Sequence, residues 1–248
     1  MKIYRKVISS FFCIAALMAA MSFIPNVEKN KKGTLIINFE NYVGDNLLQL
    51  DSGKYENELG QEYTISKFRY YLGNIRLKNI AGKEFIIDKY FLIDEEDKES
   101  KRIMLSDVAP GEYASISFIV GVDSAHNYSG IQTGALDPAK GMFWAWNTGY
   151  IFLKLEGHAP ASKSPGHIFE YHIGGFKEPV NCIKNIKLTF DNLHIENNGA
   201  AVLKIKADAA QILKSPFTVD FASLSSVVDV HHAADIANNY ADMFSVLK

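Results

Sequence analysis

Residues 134–157 read GALDPAKGMFWAWNTGYIFLKLEG, and after a short polar insertion residues 169–175 read FEYHIGG. Both tryptophans of the chain, Trp144 and Trp146, fall in this segment with His172, and the rest of it reads as two strands. In an extended backbone residues two apart share a face. Met142, Trp144 and Trp146 therefore point one way, and Phe143, Ala145 and Asn147 the other. His172 lies opposite Phe169, Tyr171 and Ile173, on the side of Ile168 and Glu170. Thioether and indole groups near an imidazole make an oxidisable stripe with no hydrolytic machinery beside it. The plainer reading is that the tryptophans are core or barrel-wall residues.

The same alternation continues outward. Leu35, Ile37 and Phe39 alternate with Thr34, Ile36 and Asn38, and Ile116, Phe118, Val120 and Val122 alternate with Ser115, Ser117 and Ile119. Strands also fit 67–79, 84–93, 150–156, 168–173, 183–191 and 201–207, separated by turn signals such as Ala81-Gly82, Pro110-Gly111 and Asn197-Asn198-Gly199. Many short strands at this spacing predict a mainly β chain, an antiparallel sandwich or barrel-like domain. The C-terminus changes period: Ile236, Tyr240, Met243 and Phe244 define one face of a short helix beginning near Asp235. A second short helix is expected from Asp208 to Leu213, stopped before Pro216.

With 248 residues, 48% hydrophobic and 22% charged, and a net charge of −2, the chain fits one ordinary domain and gives no basic patch for nucleic acid. Lys2, Arg5 and Lys6 precede an apolar run from Val7 to Pro25, so residues 1–25 read as a signal peptide or an N-terminal membrane anchor and residues 33–248 as the β domain. An exported protein, periplasmic or held at the cell envelope, is the expectation. Ser10-Phe11-Phe12 before Cys13 lacks the small residues of a lipidation site. Without the leader Cys182 is the sole cysteine, so no disulfide staples the fold and its hydrophobic core must hold it.

Chemistry-bearing motifs are sparse. There is no nucleophile elbow, phosphate-cradling glycine loop, HExxH or CxxC, and the run Asp94-Glu95-Glu96-Asp97 reads as a solvated turn. Of the histidines, His158, His167 and His194 read as surface or hydrogen-bonded residues, and the adjacent His231 and His232 diverge too much to chelate one ion. His172 and His126 remain as candidate metal ligands, since two imidazoles brought from different strands suit copper or zinc.

The combination of FRYYLGNIRL at 68–77, Pro110-Gly111-Glu112-Tyr113, FIVGVD and Asn127, the ALDP-x-x-GMFW-x-WN-x-GY-x-x-x-KLEG run and F-x-YHIGG resembles the MbnP-like proteins across the chain from about residue 33. That resemblance implies an exported β-rich protein that binds copper for acquisition or handling. It also implies a partner, a di-haem peroxidase of the MauG/MbnH-like type, which oxidises a tryptophan to kynurenine. Carried over, Trp144 or Trp146 is the candidate oxidised residue and His172 matches the family's histidine. The resemblance has a gap where relatives carry an Asn-His pair. This chain has Asn127-Tyr128, with His126 on the other side of the asparagine. The reading is thus of a binding protein, not an enzyme. The alternative is a metal-free β-sandwich that recognises a ligand or serves as a structural module.

Overall fold

The alternation at the start of the domain is realised as the strand Gly33–Val43, whose odd-numbered residues are buried and whose even-numbered ones are partly exposed. The computed structural model describes residues 31–144, 149–178, 180–228 and 232–247. The predicted leader, Trp146 and His231 lie outside them. Among the described residues no helix is long and apolar enough to cross a membrane.

Gly33–Val43 is central to the smaller sheet. On one side it pairs with Ala200–Asp208, which in turn carries the edge strand Phe244–Val246; on the other it pairs with Arg102–Val108 and Asn46–Leu47. The larger sheet runs Lys184–Ile195, Gly111–Val120, Glu62–Asn79, Leu153–His158, Ile168–Ile173 and Ser226–Val227. Tyr55–Glu56, Glu84–Ile87 and Phe91–Asp94 attach along the long Glu62–Asn79 strand. Its pairing register slips between Gly73 and Arg76, where Asn74 takes a positive φ of 51°, and the sheet curls there.

The two sheets meet through apolar side chains. Phe39 packs edge-on to Phe118 with ring centres 6.1 Å apart, and Phe244 packs against both Phe118 at 5.0 Å and Tyr70 at 5.7 Å. Each fully buried phenylalanine of this kind contributes about 1.5–3 kcal/mol. The fold is therefore the predicted mainly β sandwich. Most pairings are antiparallel, but Gly33–Val43 runs parallel to Ala200–Asp208, and Ile168–Ile173 parallel to Ser226–Val227.

Three local expectations change. The C-terminal helix is Ala233–Tyr240, so Met243 and Phe244 leave it. Phe244 instead opens an edge strand, where its backbone bonds to Ile205–Ala207 while its ring still reaches the core. The strand expected at 84–93 splits into Glu84–Ile87 and Phe91–Asp94, with the Tyr90 ring between them laid against Gly73. The acidic run at 94–97 is more than a solvated turn. Asp94 pairs with Arg69 at 2.9 Å, and Glu95 is held by Lys101 at 2.8 Å and Asn41 at 2.8 Å.

Candidate functional site

In the middle of the Glu62–Asn79 strand the core takes Phe68, Tyr70 and Leu72, while Lys67, Arg69, Tyr71 and Gly73 lie on the opposite face. The register extends this outer face across the sheet. Arg69 lies opposite Lys154 and Lys154 opposite His172; in the next row Lys67 lies opposite Glu156 and Glu156 opposite Glu170. One end of the face is thus a ladder of charged groups. The other end is covered by residues 121–144 and 149–150.

That covering segment is fixed residue by residue. Gly121, with φ 117° and no room for a Cβ beside Phe152, turns the chain out of the Gly111–Val120 strand. Asp123 caps the short helix Ser124–Tyr128 by accepting from the His126 N–H. Asn127 is buried and donates to the carbonyls of Val122 and Asp123 while accepting from the Tyr150 N–H at 3.0 Å. The helix is thereby tied to the hairpin Phe143–Trp144 / Gly149–Tyr150. Two tyrosine hydroxyls secure the chain between them: Tyr71 donates to the Ala135 carbonyl at 2.9 Å and Tyr150 to that of Leu136 at 2.8 Å.

Met142 and Trp144, expected on one face, are both buried, and Trp144 is 8% exposed. The indole rests on Gly174: a Cβ there would lie 2.5 Å from the Tyr150 carbonyl oxygen and 2.6 Å from the Trp144 ring. This close approach explains why the HIGG run accompanies the tryptophan run in one sequence. Gly174 follows His172 by two residues, just past the Ile168–Ile173 strand, so the indole lies where the covered end meets the ladder.

His172 gives one ring nitrogen, Nε2, to Glu156 Oε1 at 2.7 Å. Glu156 also faces Lys67 at 3.7 Å and Lys154 at 3.9 Å. The His172 hydrogen bond, with the neighbouring cations, holds the Glu156 carboxyl below its usual range although partial burial opposes this. Burial pulls the Lys154 ammonium down, and it donates to the Gly141 carbonyl, pinning the covering segment to the ladder.

His126 lies elsewhere. Its Nδ1 meets Asp123 Oδ1 at 2.9 Å and its ring packs edge-on to Tyr90 at 4.7 Å, while the Tyr90 hydroxyl donates to Asp123 Oδ2 at 2.8 Å. Burial raises the Asp123 carboxyl, but the His126 and Tyr90 hydrogen bonds outweigh it and the net shift is down. The residue beside Trp144 from this helix is Tyr128, which with Phe143, Tyr150 and Phe176 lines an open cleft of about 750 Å³.

A copper ion wants two or three nitrogen or sulfur donors at one point. The described residues supply one oriented imidazole, His172, two residues from the glycine on which Trp144 rests, and among them no group of three His, Cys, Asp or Glu side chains converges. The fit extends to His172 as a single ligand backed by a carboxylate, and His126 is not brought to it. Cys182 is buried, its thiol pushed up to about 12 by burial, with its carbonyl accepting from Tyr240. His158, His167 and His194 each have a local partner, respectively the Gly166 carbonyl, the Ser162 carbonyl and Glu112. Glu156 is the residue that sequence reading passed over, and Asn127, named there as part of the resemblance, was given no anchoring role. The alternation of Lys154 and Glu156 with Leu153 and Leu155 already placed Glu156 on the histidine's face.

This is a mainly β sandwich whose larger sheet carries a tryptophan-bearing cover over one end of its outer face. The family model for MbnP matches residues 32–232, and the chain belongs to that family. Among solved structures it is similar to MbnP from Methylosinus trichosporium, at 15% identity and a TM-score of 0.53, covering 77% of this chain and 80% of that one; the likeness is one of fold. Comparison with curated proteins finds no match.

Proposed function

We propose that this chain is an exported copper-handling member of the MbnP family, a binding protein rather than an enzyme, with copper as its cargo. The observation that supports the reading is the Glu156–His172 pair, two residues from the glycine on which Trp144 rests. Histidines that ligate metals commonly give one ring nitrogen to a carboxylate, which fixes the ring and leaves the other nitrogen for the ion. With Nε2 on Glu156, Nδ1 of His172 is the nitrogen for copper.

An indole offers no ligand lone pair, whereas kynurenine offers an aniline nitrogen and a carbonyl. Oxidation of Trp144 or Trp146 by a partner di-haem peroxidase would therefore add the donors that the unmodified residues lack. Burial of Trp144 keeps such a partner at a distance, so electrons would leave the indole through the protein.

Metal analysis and intact mass of protein from its native host test this directly. The expected result is near-stoichiometric copper, with the mass change of kynurenine formation, one oxygen gained and one carbon lost. Protein without copper that takes up none on titration, with both tryptophans intact, sinks the reading. A metal-free recognition module is the second reading, favoured by the separation of His126 from His172 and by the cleft beside Trp144.

A further inference from the structure

We infer that the cleft beside Trp144 binds a small planar organic anion, an aromatic carboxylate or phenolate. This goes beyond the copper reading and does not depend on it. The cleft, about 750 Å³, is within the range that encloses a single small ligand. Its walls are aromatic: Tyr128, Phe143, Trp144, Tyr150 and Phe176 all face it. They come from the short helix, the tryptophan hairpin and the Phe176–Lys177 / Val180–Asn181 hairpin. Flat faces offered from several directions select a flat ligand.

Charge selects the anion. Lys177 lies at the cleft with its ammonium 4.8 Å from the Tyr128 ring centre and 5.3 Å from that of Phe176. Among the described residues it makes no ion pair, so a cation held on aromatic faces is left to meet a carboxylate. Glu178 beside it also lines the rim and disfavours ligands with more than one negative charge. Two large apolar side chains stand exposed at the opening, Tyr128 at 65% and Ile131 at 87%. A seated ligand would cover them.

The anchors already described fix the walls of this cleft. Asn127 fixes the helix bearing Tyr128, Tyr150 is tied to Leu136, and Phe176 meets Tyr128 edge-on at 5.1 Å. A site assembled before binding loses less ordering entropy on association.

The test is calorimetric titration of metal-free protein with 1-naphthoate and, as the uncharged match, 1-naphthylmethanol; tryptophan fluorescence is followed in parallel. Saturable one-to-one naphthoate binding with quenching is expected. Lys177→Met, which keeps the stem and removes the charge, should weaken naphthoate by about tenfold and leave the alcohol unchanged. Tyr128→Ala should weaken both by about threefold or more. Both side chains are exposed, and circular dichroism with a thermal melt confirms that the variants fold. Absence of saturable naphthoate binding, or an equal effect of Lys177→Met on both probes, overturns the inference. Because no metal is present, failure here leaves the copper reading standing, and the converse holds too.

Discussion

The outer face of the larger sheet is two surfaces that obey different rules. At the covered end Tyr71, Tyr150, Trp144 and Met142 are buried, and the hydroxyls of Tyr71 and Tyr150 are matched to carbonyls of the covering segment. At the open end Lys67, Lys154, Glu156, Glu170 and His172 form a half-exposed ladder in which one carboxylate answers several cations. The buried side chains of the covered end are packed on one another, so substitutions among them act on the fold. The ladder is partly screened by water, so substitutions of its charged groups cost the fold little.

Gly174 gives the sharpest break between them. Gly174→Val places methyl groups where the Tyr150 carbonyl and the Trp144 ring already stand at 2.5 and 2.6 Å from the first added carbon. Both neighbours are themselves fixed, so the expected loss is about 3 kcal/mol or more in urea unfolding, with tryptophan emission shifted to longer wavelength as the indole is expelled. A stable Gly174→Val with unshifted emission would mean that the indole does not rest there. Asn127→Leu comes next. It leaves the Tyr150 N–H and two carbonyls without their side-chain partner, for a loss of about 2 kcal/mol, and slower opening of the hairpin by hydrogen exchange would contradict it.

How far the sequence reveals these two surfaces follows from what each is made of. The alternation of Leu35, Ile37 and Phe39 was legible because one face of that strand is wholly buried, and a period of two has no other cause. The pairing of that strand in parallel with Ala200–Asp208 was not, because parallel and antiparallel edges share the same alternation. Phe244 fits a helical face and a strand equally well. Only the free edge at Ile205–Ala207, a product of the fold, decides between them. His172 and Trp144 were both visible as residue types, but Gly174, which links the ladder strand to the covered end, gains its meaning only when the indole lies on it. His126 illustrates the opposite outcome: an imidazole close in sequence to the right asparagine is turned to Tyr90 and Asp123, while Tyr128 takes the place beside the tryptophan.

The ladder predictions separate the two histidines. His172→Ala should weaken copper binding about tenfold, or 1.4 kcal/mol, with the melting temperature nearly unchanged. His126→Ala should leave copper affinity as it was, since its ring belongs to the Asp123 cluster. Equal losses in a competitive chelator titration would join the two residues in one site and dissolve the distinction drawn between them.

The smallest effect is the most specific to the ladder. The Glu156 carboxyl is held below its ordinary value of 4.5, first by the His172 hydrogen bond and then by the surrounding cations, with burial opposing. A depressed carboxylate binds fewer protons in the folded state, so its stabilisation is complete above the unfolded value and is lost as pH falls through the folded one. Half-exposed as it is, Glu156 contributes under about 1 kcal/mol. Glu156→Gln should therefore be less stable than the parent at neutral pH, and the gap should close as pH drops below 4.5. Truncation of a buried side chain at the covered end, Met142→Ala for instance, would cost stability at every pH, because packing does not titrate. A gap that stays constant across acid denaturation curves would show that Glu156 serves by shape, and the open end would then follow the rule of the covered one.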